Sequence, residues 1–145
     1  MTTTTEAPAD FRAFLDRVDD ALDAMFTGDP QPYADLWAQR DDVTLCGAWG
    51  TVEKGHADVT RTFAWVGSRF SDGTREREEP DVIVVDGDLA WTVGFERGHV
   101  RVDGGPLAPM VIRVTHGFRR VDGDWRLTHR HADFPPPDPR KTQDS

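Results

Sequence analysis

The chain has 145 residues and a formal net charge of −9, and 37% of its residues are apolar, including 5 Trp and 8 Phe. This length and apolar content predict one domain with a substantial core. The negative charge, without a clustered basic face, argues against nucleic-acid and anionic-membrane partners. Cys46 is the single cysteine, so no internal disulfide can form. The start of the chain lacks the basic and apolar runs of a secretory signal, and we expect a cytoplasmic protein.

Apolar side chains at three- and four-residue spacing predict three helices in the first half of the chain. Asp10 is a candidate cap for the first helix, and Gly28 follows its end. The apolar stripes of the three helices run, in order, from Phe11 to Phe26, from Tyr33 to Trp37 and from Val59 to Phe70. A short strand, residues 43–46, is predicted between the second and third helices.

Beyond residue 74 the pattern changes to strands separated by turn sequences. The predicted strands are 82–85, 89–102, 110–121 and a last strand that follows the Asp122-Gly123 turn and ends at Asp133. Helices followed by an antiparallel meander predict an α+β fold, with three N-terminal helices packed on one face of a curved, mainly antiparallel sheet. The predicted domain spans residues 10–134, between a disordered segment, 1–9, and a mobile proline-rich tail, 135–145.

The last strand carries the most informative pattern in the chain. Trp125, Leu127, His129, His131 and Asp133 alternate along it, which predicts that all five share one face. That face begins apolar and ends ionisable. Such a change is typical of a core that opens into a polar ligand cavity.

These ionisable residues are the candidate catalytic group. His131 is the candidate general acid or base, because imidazole titrates near neutral pH, while His129 and Asp133 would orient it. The alternative is a structural histidine pair with a solvated aspartate at the strand end. Two histidines with His116 or Asp133 could also bind zinc or iron, but this spacing is weak evidence, and we assign neither a metal nor a cofactor.

A second group of residues is predicted to bind substrate. Trp91 and Phe95 alternate with Arg97 on the longest strand, so that a guanidinium would close an apolar row and could hold a carboxylate, enolate or phosphate. The alternative is an Arg97 that pairs with a surface carboxylate such as Glu96 or Glu78. His116 lies among apolar residues of the next strand. Two further aromatic residues, each of which could instead be ordinary core, complete the candidate lining: Trp49 and Phe63.

The sequence resembles the nuclear transport factor 2-like superfamily, and within it the SnoaL-like group, over about residues 10 to 134. The resemblance is carried by the order of the elements, by GDLAW at 87–91, by FRRVDGDW at 118–125 and by HRH at 129–131. It implies a cone in which a curved sheet wraps around the helices and encloses a cavity, and it implies homodimers that pack through the outer sheet face. It implies no single reaction, because such folds carry isomerases, cyclases, dehydratases, hydrolases and non-catalytic hubs.

The resemblance also bears on individual positions. His116 falls where the ketosteroid isomerase branch has an oxyanion-binding acid, and both His116 and Arg97 fall on pocket arginines of the calcium/calmodulin kinase hub branch. The catalytic tyrosine and the carboxylate base of the isomerase branch are replaced by Ala21 and Gly47, so that reaction does not carry over with its usual residues.

Two functional hypotheses follow. The first is a small-molecule-binding, cofactor-independent acid-base enzyme, of isomerase, cyclase or dehydratase type, that acts on a hydrophobic carbonyl compound. The second is a non-catalytic ligand-binding or oligomerisation domain that captures a small anionic metabolite.

Overall fold

A computed structural model describes residues 7–141 of the chain. Residues 1–6 and 142–145, which belong to the predicted disordered start and the predicted mobile tail, lie outside the described residues. The helices are α1 (Ala9–Phe26), α2 (Gln31–Asp35) and α3 (His56–Arg69). The strands are β1 (Thr44–Cys46), β2 (Val52–Lys54), β3 (Phe70–Glu76), β4 (Val82–Asp86), β5 (Leu89–Val102), β6 (Ala108–Val121) and β7 (Asp124–Asp133).

The seven strands form one sheet in the order β2-β1-β7-β6-β5-β3, with β4 paired to β5. All pairings are antiparallel except that of β1 with β7. The predicted α+β fold, with N-terminal helices packed on a curved sheet, is confirmed. Two strands, β2 and β3, were not predicted, and Phe70 begins β3 instead of ending the third helix.

The core lies between the helices and the inner face of the sheet. Phe11 of α1 is fully buried, and its ring meets those of Phe118 and Trp125 edge-on, with centroids 4.9 and 5.0 Å apart. On the other side of the core, Tyr33 packs against Phe63, with centroids 4.8 Å apart. Aromatic pairs in this geometry add to the free energy of burial and orient the helices on the sheet. No helix within residues 7–141 is both long and apolar enough to cross a membrane.

A β-bulge in β7 reverses the faces predicted for the end of that strand. Phe118 pairs with Leu127 and Gly117 pairs with His129, which leaves Thr128 as an extra residue. Trp125 and Leu127 therefore point inward as predicted, but beyond the bulge the buried side chains are those of Arg130 and Ala132. The prediction that His129, His131 and Asp133 share the inner face is wrong, because one extra residue moves every later side chain to the other face.

The predicted faces of β5 are also reversed. Its inward residues are small or polar: Ala90, Thr92, Gly94, Glu96, Gly98 and Val100. The larger side chains of Trp91, Phe95 and Arg97 lie on the outer face, so their predicted inward placement is wrong. Close packing explains the small inward residues, because a Cβ on Gly94 would lie 3.3 Å from Pro80 and one on Gly98 only 2.0 Å from the Thr74 carbonyl oxygen.

Candidate functional site

Four polar side chains meet inside the domain and form what we call the polar cluster: Tyr33, Glu96, His116 and Arg130. They come from α2, β5, β6 and β7. Arg130 donates two hydrogen bonds to the Glu96 carboxylate, of 2.6 and 2.8 Å, and its NH1 group lies 3.2 Å from Nε2 of His116. The Tyr33 hydroxyl lies 2.7 Å from the same nitrogen. The cluster thus connects the helical layer to three strands.

The hydrogen bonds determine which tautomer His116 adopts. A guanidinium can only donate, so Nε2 of His116 accepts and the ring proton resides on Nδ1. Burial and the neighbouring charge of Arg130 lower the pKa of His116 to about 3, which keeps the ring neutral at physiological pH. Burial raises the pKa of Tyr33 to about 12, so its hydroxyl stays protonated and donates to Nε2.

The buried ion pair remains charged. Burial by itself would raise the pKa of Glu96, but the charge and hydrogen bonds of Arg130 hold it at about 2. Burial would likewise lower the pKa of Arg130, and its interactions with Glu96 and Tyr33 raise it instead. Glu96 is therefore a weak base, and Arg130 is a permanent cation.

A cavity of about 60 Å³ lies against the polar cluster on the side of α3. Tyr33, Glu96 and Arg130 form part of its wall, and most of the remaining wall is apolar. We call it the aromatic cavity after its six ring-bearing residues: Phe26, Tyr33, Trp49, Phe63, Phe70 and Phe134. The predicted lining residues Trp49 and Phe63 thus lie on one cavity wall. A mostly apolar pocket with a few polar groups is the usual form of a small-molecule site.

The three candidate catalytic residues lie away from this cavity, on the outer face of β7. His131 is exposed and Asp133 pairs with Arg113 through bonds of 2.9 and 2.6 Å. His129 is partly buried, and its Nδ1 lies 2.7 Å from the Thr44 hydroxyl. Burial and the neighbouring His131 lower the pKa of His129, against the opposing effect of Thr44. No group of three side chains that could hold a metal ion is found within residues 7–141.

The remaining substrate-binding candidates divide between the two faces. His116 is buried on the inner face, as predicted. Arg97 lies on the outer face, where it pairs with Glu78 and stacks on Phe95 at 4.3 Å from the ring centroid. Trp91 is 42% exposed on the same face. The alternative in which Arg97 pairs with a surface carboxylate therefore describes the structure.

Sequence reasoning missed Arg130 and Glu96 and treated Tyr33 as packing. One signal was present: Gly117 interrupts a strand, and glycine there is typical of a bulge in the paired strand. A Cβ on Gly117 would lie 3.1 Å from the His129 Cβ, which explains why glycine faces the bulge. With the bulge included, Arg130 follows Trp125 and Leu127 on the inner face.

The structure thus combines a helical layer on a curved sheet with a polar cluster beside an interior cavity. The chain belongs to the SnoaL-like domain family, whose model matches residues 15–137. No match is found among curated proteins.

Solved structures confirm the fold at low sequence identity. A nuclear transport factor 2-like superfamily protein from Salmonella enterica serovar Typhimurium has a TM-score of 0.74 at 19% identity, covering 87% of this chain and 91% of its own. A ketosteroid isomerase-like protein from Erwinia carotovora atroseptica has a TM-score of 0.71 at 17% identity, covering 89% and 96%. A nuclear transport factor 2-like protein of unknown function from Pseudomonas putida has a TM-score of 0.71 at 20% identity, covering 97% and 95%.

Proposed function

We propose that this protein binds a small, mostly apolar molecule in the aromatic cavity and that Arg130 recognises an oxygen atom of that molecule. The supporting observation is a buried cation on the wall of an otherwise largely apolar cavity. A guanidinium carries five N–H donors, and three hydrogen bonds to Glu96 and His116 leave some free for a ligand. Because Glu96 already neutralises Arg130, a neutral carbonyl suits the site better than a carboxylate does.

The size of the cavity limits the ligand. A dry cavity of about 150 Å³ binds benzene. At about 60 Å³, the aromatic cavity accommodates only a few non-hydrogen atoms without movement of α3. A short ketone such as 2-butanone, whose five non-hydrogen atoms require a small outward movement of α3, is a suitable probe.

Titration of the ¹⁵N-labelled protein with 2-butanone tests the proposal. We expect chemical-shift changes at the Trp49 indole and the Arg130 backbone amide. Ala48→Leu fills the rim of the cavity and should abolish them, whereas Ala64→Leu, an exposed position of α3, should not. Shift changes that persist in Ala48→Leu, or that are absent at both reporters in the parent protein, would contradict binding in this cavity.

An acid-base enzyme on a carbonyl compound is the second candidate, and one observation favours it. Arg130 lines the cavity with N–H groups beyond the three that Glu96 and His116 accept, and these could stabilise a developing oxyanion. Glu96 is the carboxylate on that wall, and its lowered pKa makes it a poor base. Deuterium exchange into 2-butanone in D₂O separates the two functions: exchange that the protein accelerates and Ala48→Leu does not would favour the enzyme.

We also propose a homodimer through the outer sheet face. Four exposed apolar side chains support it: Val82, Leu89, Trp91 and Val111. Several exposed apolar side chains on one sheet face are typical of interfaces. Sedimentation velocity should show a dimer that Trp91→Glu converts to a monomer, while Trp65→Glu, an equally exposed position on α3, leaves it intact. A monomer in the parent protein would exclude the dimer.

A further inference from the structure

A second cavity lies on the other side of His116 from the aromatic cavity. Its volume is about 170 Å³, and it is bounded by α1, by residues 78–80 and by the inner faces of β5 and β6. Tyr33 and Arg130 line the aromatic cavity alone, His116 lines only the second, and Glu96 lines both. We call this second space the polar cavity.

Thr92 and His116, in the inner wall of the polar cavity, each keep a polar group that has no hydrogen-bond partner within the described residues. Thr92 and His116 are cross-strand neighbours, and each is only 5% exposed. Nε2 of His116 is occupied by Tyr33 and Arg130, which leaves Nδ1, the nitrogen that carries the proton, for the side of the polar cavity. Within residues 7–141, neither this N–H nor the Thr92 hydroxyl makes a hydrogen bond. Both groups can donate a hydrogen bond, and one ligand oxygen atom could accept from both.

The charges around the cavity favour a cation. Two guanidinium groups, Arg12 and Arg75, stand against five carboxylates: Asp16, Asp19, Glu78, Glu79 and Glu96. Four of the five carboxylates already face a protein cation, through the pairs Arg75–Asp19, Arg12–Glu79, Arg97–Glu78 and Arg130–Glu96. Asp16 is exposed on α1 and has no ion-pair partner within residues 7–141. An entering anion would be repelled by the unpaired carboxylate of Asp16, whereas an ammonium group would complement it.

The burial of the lining residues indicates how a ligand would be oriented in the polar cavity. The exposed residues Asp16 and Glu79 lie toward solvent, and the buried Thr92 and His116 lie at the inner end. The volume slightly exceeds the roughly 150 Å³ that holds benzene, so five or six non-hydrogen atoms fit. We propose that the polar cavity is a second binding site, for a small organic cation whose ammonium group lies near Asp16 and whose oxygen accepts hydrogen bonds from His116 and Thr92.

This site differs from the aromatic cavity in the ligand chemistry that it requires, although Leu22 and Glu96 line both cavities. It requires an ammonium group and an oxygen, whereas the aromatic cavity requires an apolar body with an oxygen. Ala48, at the rim of the aromatic cavity, does not contact the polar cavity. Ala48→Leu should therefore leave binding at the polar cavity unchanged, whether or not the aromatic cavity binds a ketone.

Three matched probes of the same chain length test the charge preference: 3-aminopropanol, 1,3-propanediol and 3-hydroxypropionate. In ¹⁵N titrations we expect shifts at the backbone amides of Thr92 and His116, with 3-aminopropanol binding at least tenfold more tightly than the diol and the acid not binding. Equal affinity for the three probes, or tighter binding of the acid, would overturn the proposal. So would shifts from 3-aminopropanol that miss both amides.

Two substitutions then test the assigned residues. Thr92→Val keeps the side-chain shape and removes a hydroxyl that has no protein partner, so the fold should persist while 3-aminopropanol binds about 3- to 10-fold more weakly. Asp16→Asn should lower the affinity for 3-aminopropanol and leave the affinity for 1,3-propanediol unchanged. Thr115→Val on the opposite sheet face and Asp124→Asn at the start of β7 are the controls, and both should bind 3-aminopropanol like the parent protein. Unchanged affinity in Thr92→Val and Asp16→Asn would overturn the assignment.

Discussion

Each face of the sheet carries one ion pair between an arginine and a carboxylate, and the pair is buried on the inner face and exposed on the outer face. On the inner face Arg130 holds Glu96 through two hydrogen bonds of 2.6 and 2.8 Å, and on the outer face Arg113 holds Asp133 through two of 2.6 and 2.9 Å. The inner side chains are 11% and 3% exposed, and the outer ones 52% and 45%. The geometry is nearly the same, so any difference in their effect on stability must come from solvent.

The largest expected change in the free energy of unfolding comes from breaking the inner ion pair. Glu96→Gln leaves the Arg130 cation buried without its counter-ion, and we expect the free energy of unfolding to fall by about 3–5 kcal/mol. Asp133→Asn leaves Arg113 in water, and we expect no measurable change. Urea denaturation of both variants, compared with the parent protein, measures the difference.

The matching double variant shows whether the loss comes from an uncompensated charge. Glu96→Leu with Arg130→Met removes both charges, and we expect it to recover most of the stability lost in Glu96→Gln. If the double variant is no more stable than Glu96→Gln, the pair stabilises the fold in itself and the comparison with the outer face must be revised.

The next effect is on the pH dependence of stability. His116 has a pKa of about 3 in the fold against an ordinary value of 6.5. Between these values the unfolded chain binds a proton that the folded chain does not, so the free energy of unfolding falls as the pH is lowered below 6.5. From pH 6.5 to 5.0 we expect a loss of about 1.5–2 kcal/mol. Above about pH 7.5 His116 is neutral in both states and contributes no slope.

Urea denaturation at half-unit pH intervals measures this slope. Glu96 also lowers the free energy of unfolding as the pH falls, but only below its ordinary pKa of 4.5. The slope between pH 6.5 and 5.0 therefore reports the histidines. His116→Gln should remove most of the slope and His131→Gln should not. His129, whose pKa is also lowered, must be replaced separately. A full slope in His116→Gln would show that another group carries the dependence.

The elements of the fold could be predicted from the sequence because they depend on local periodicity. The bounds of β5 match the prediction, and the apolar stripe of α1 is the buried face. The faces of β5 could not be predicted in the same way. Its large apolar residues, such as Trp91, lie on an exposed outer surface, while close packing restricts the inner face to small residues beside Thr92 and Glu96. Alternation shows that a strand has two faces, but which face is inside depends on the tertiary packing.

The prediction of the candidate site depended on the register of β7, which one extra residue changes. His116 was placed correctly because β6 runs without a bulge past it, whereas the residues beyond Thr128 were assigned to the wrong face. As a result, the predicted site contained His129 and His131, whereas the structure has Arg130 on the inner face. Local propensity contains little information about an unpaired residue in a ladder, and only Gly117 on the partner strand indicated it.

The smallest expected change in stability comes from a deletion that tests whether the extra residue sets the faces of β7. Deletion of Thr128 removes the extra residue and restores regular alternation, in which Leu127 and Arg130 still face inward. The domain should fold with a loss of about 1–2 kcal/mol, less than that of Glu96→Gln. Deletion of Thr115 in the regular strand β6 has no bulge to absorb it, so it forces either Val114 or His116 to the outer face and should prevent folding. Circular dichroism and thermal unfolding compare the two deletions, and equal damage from both would show that Thr128 is not the residue that sets the faces of β7.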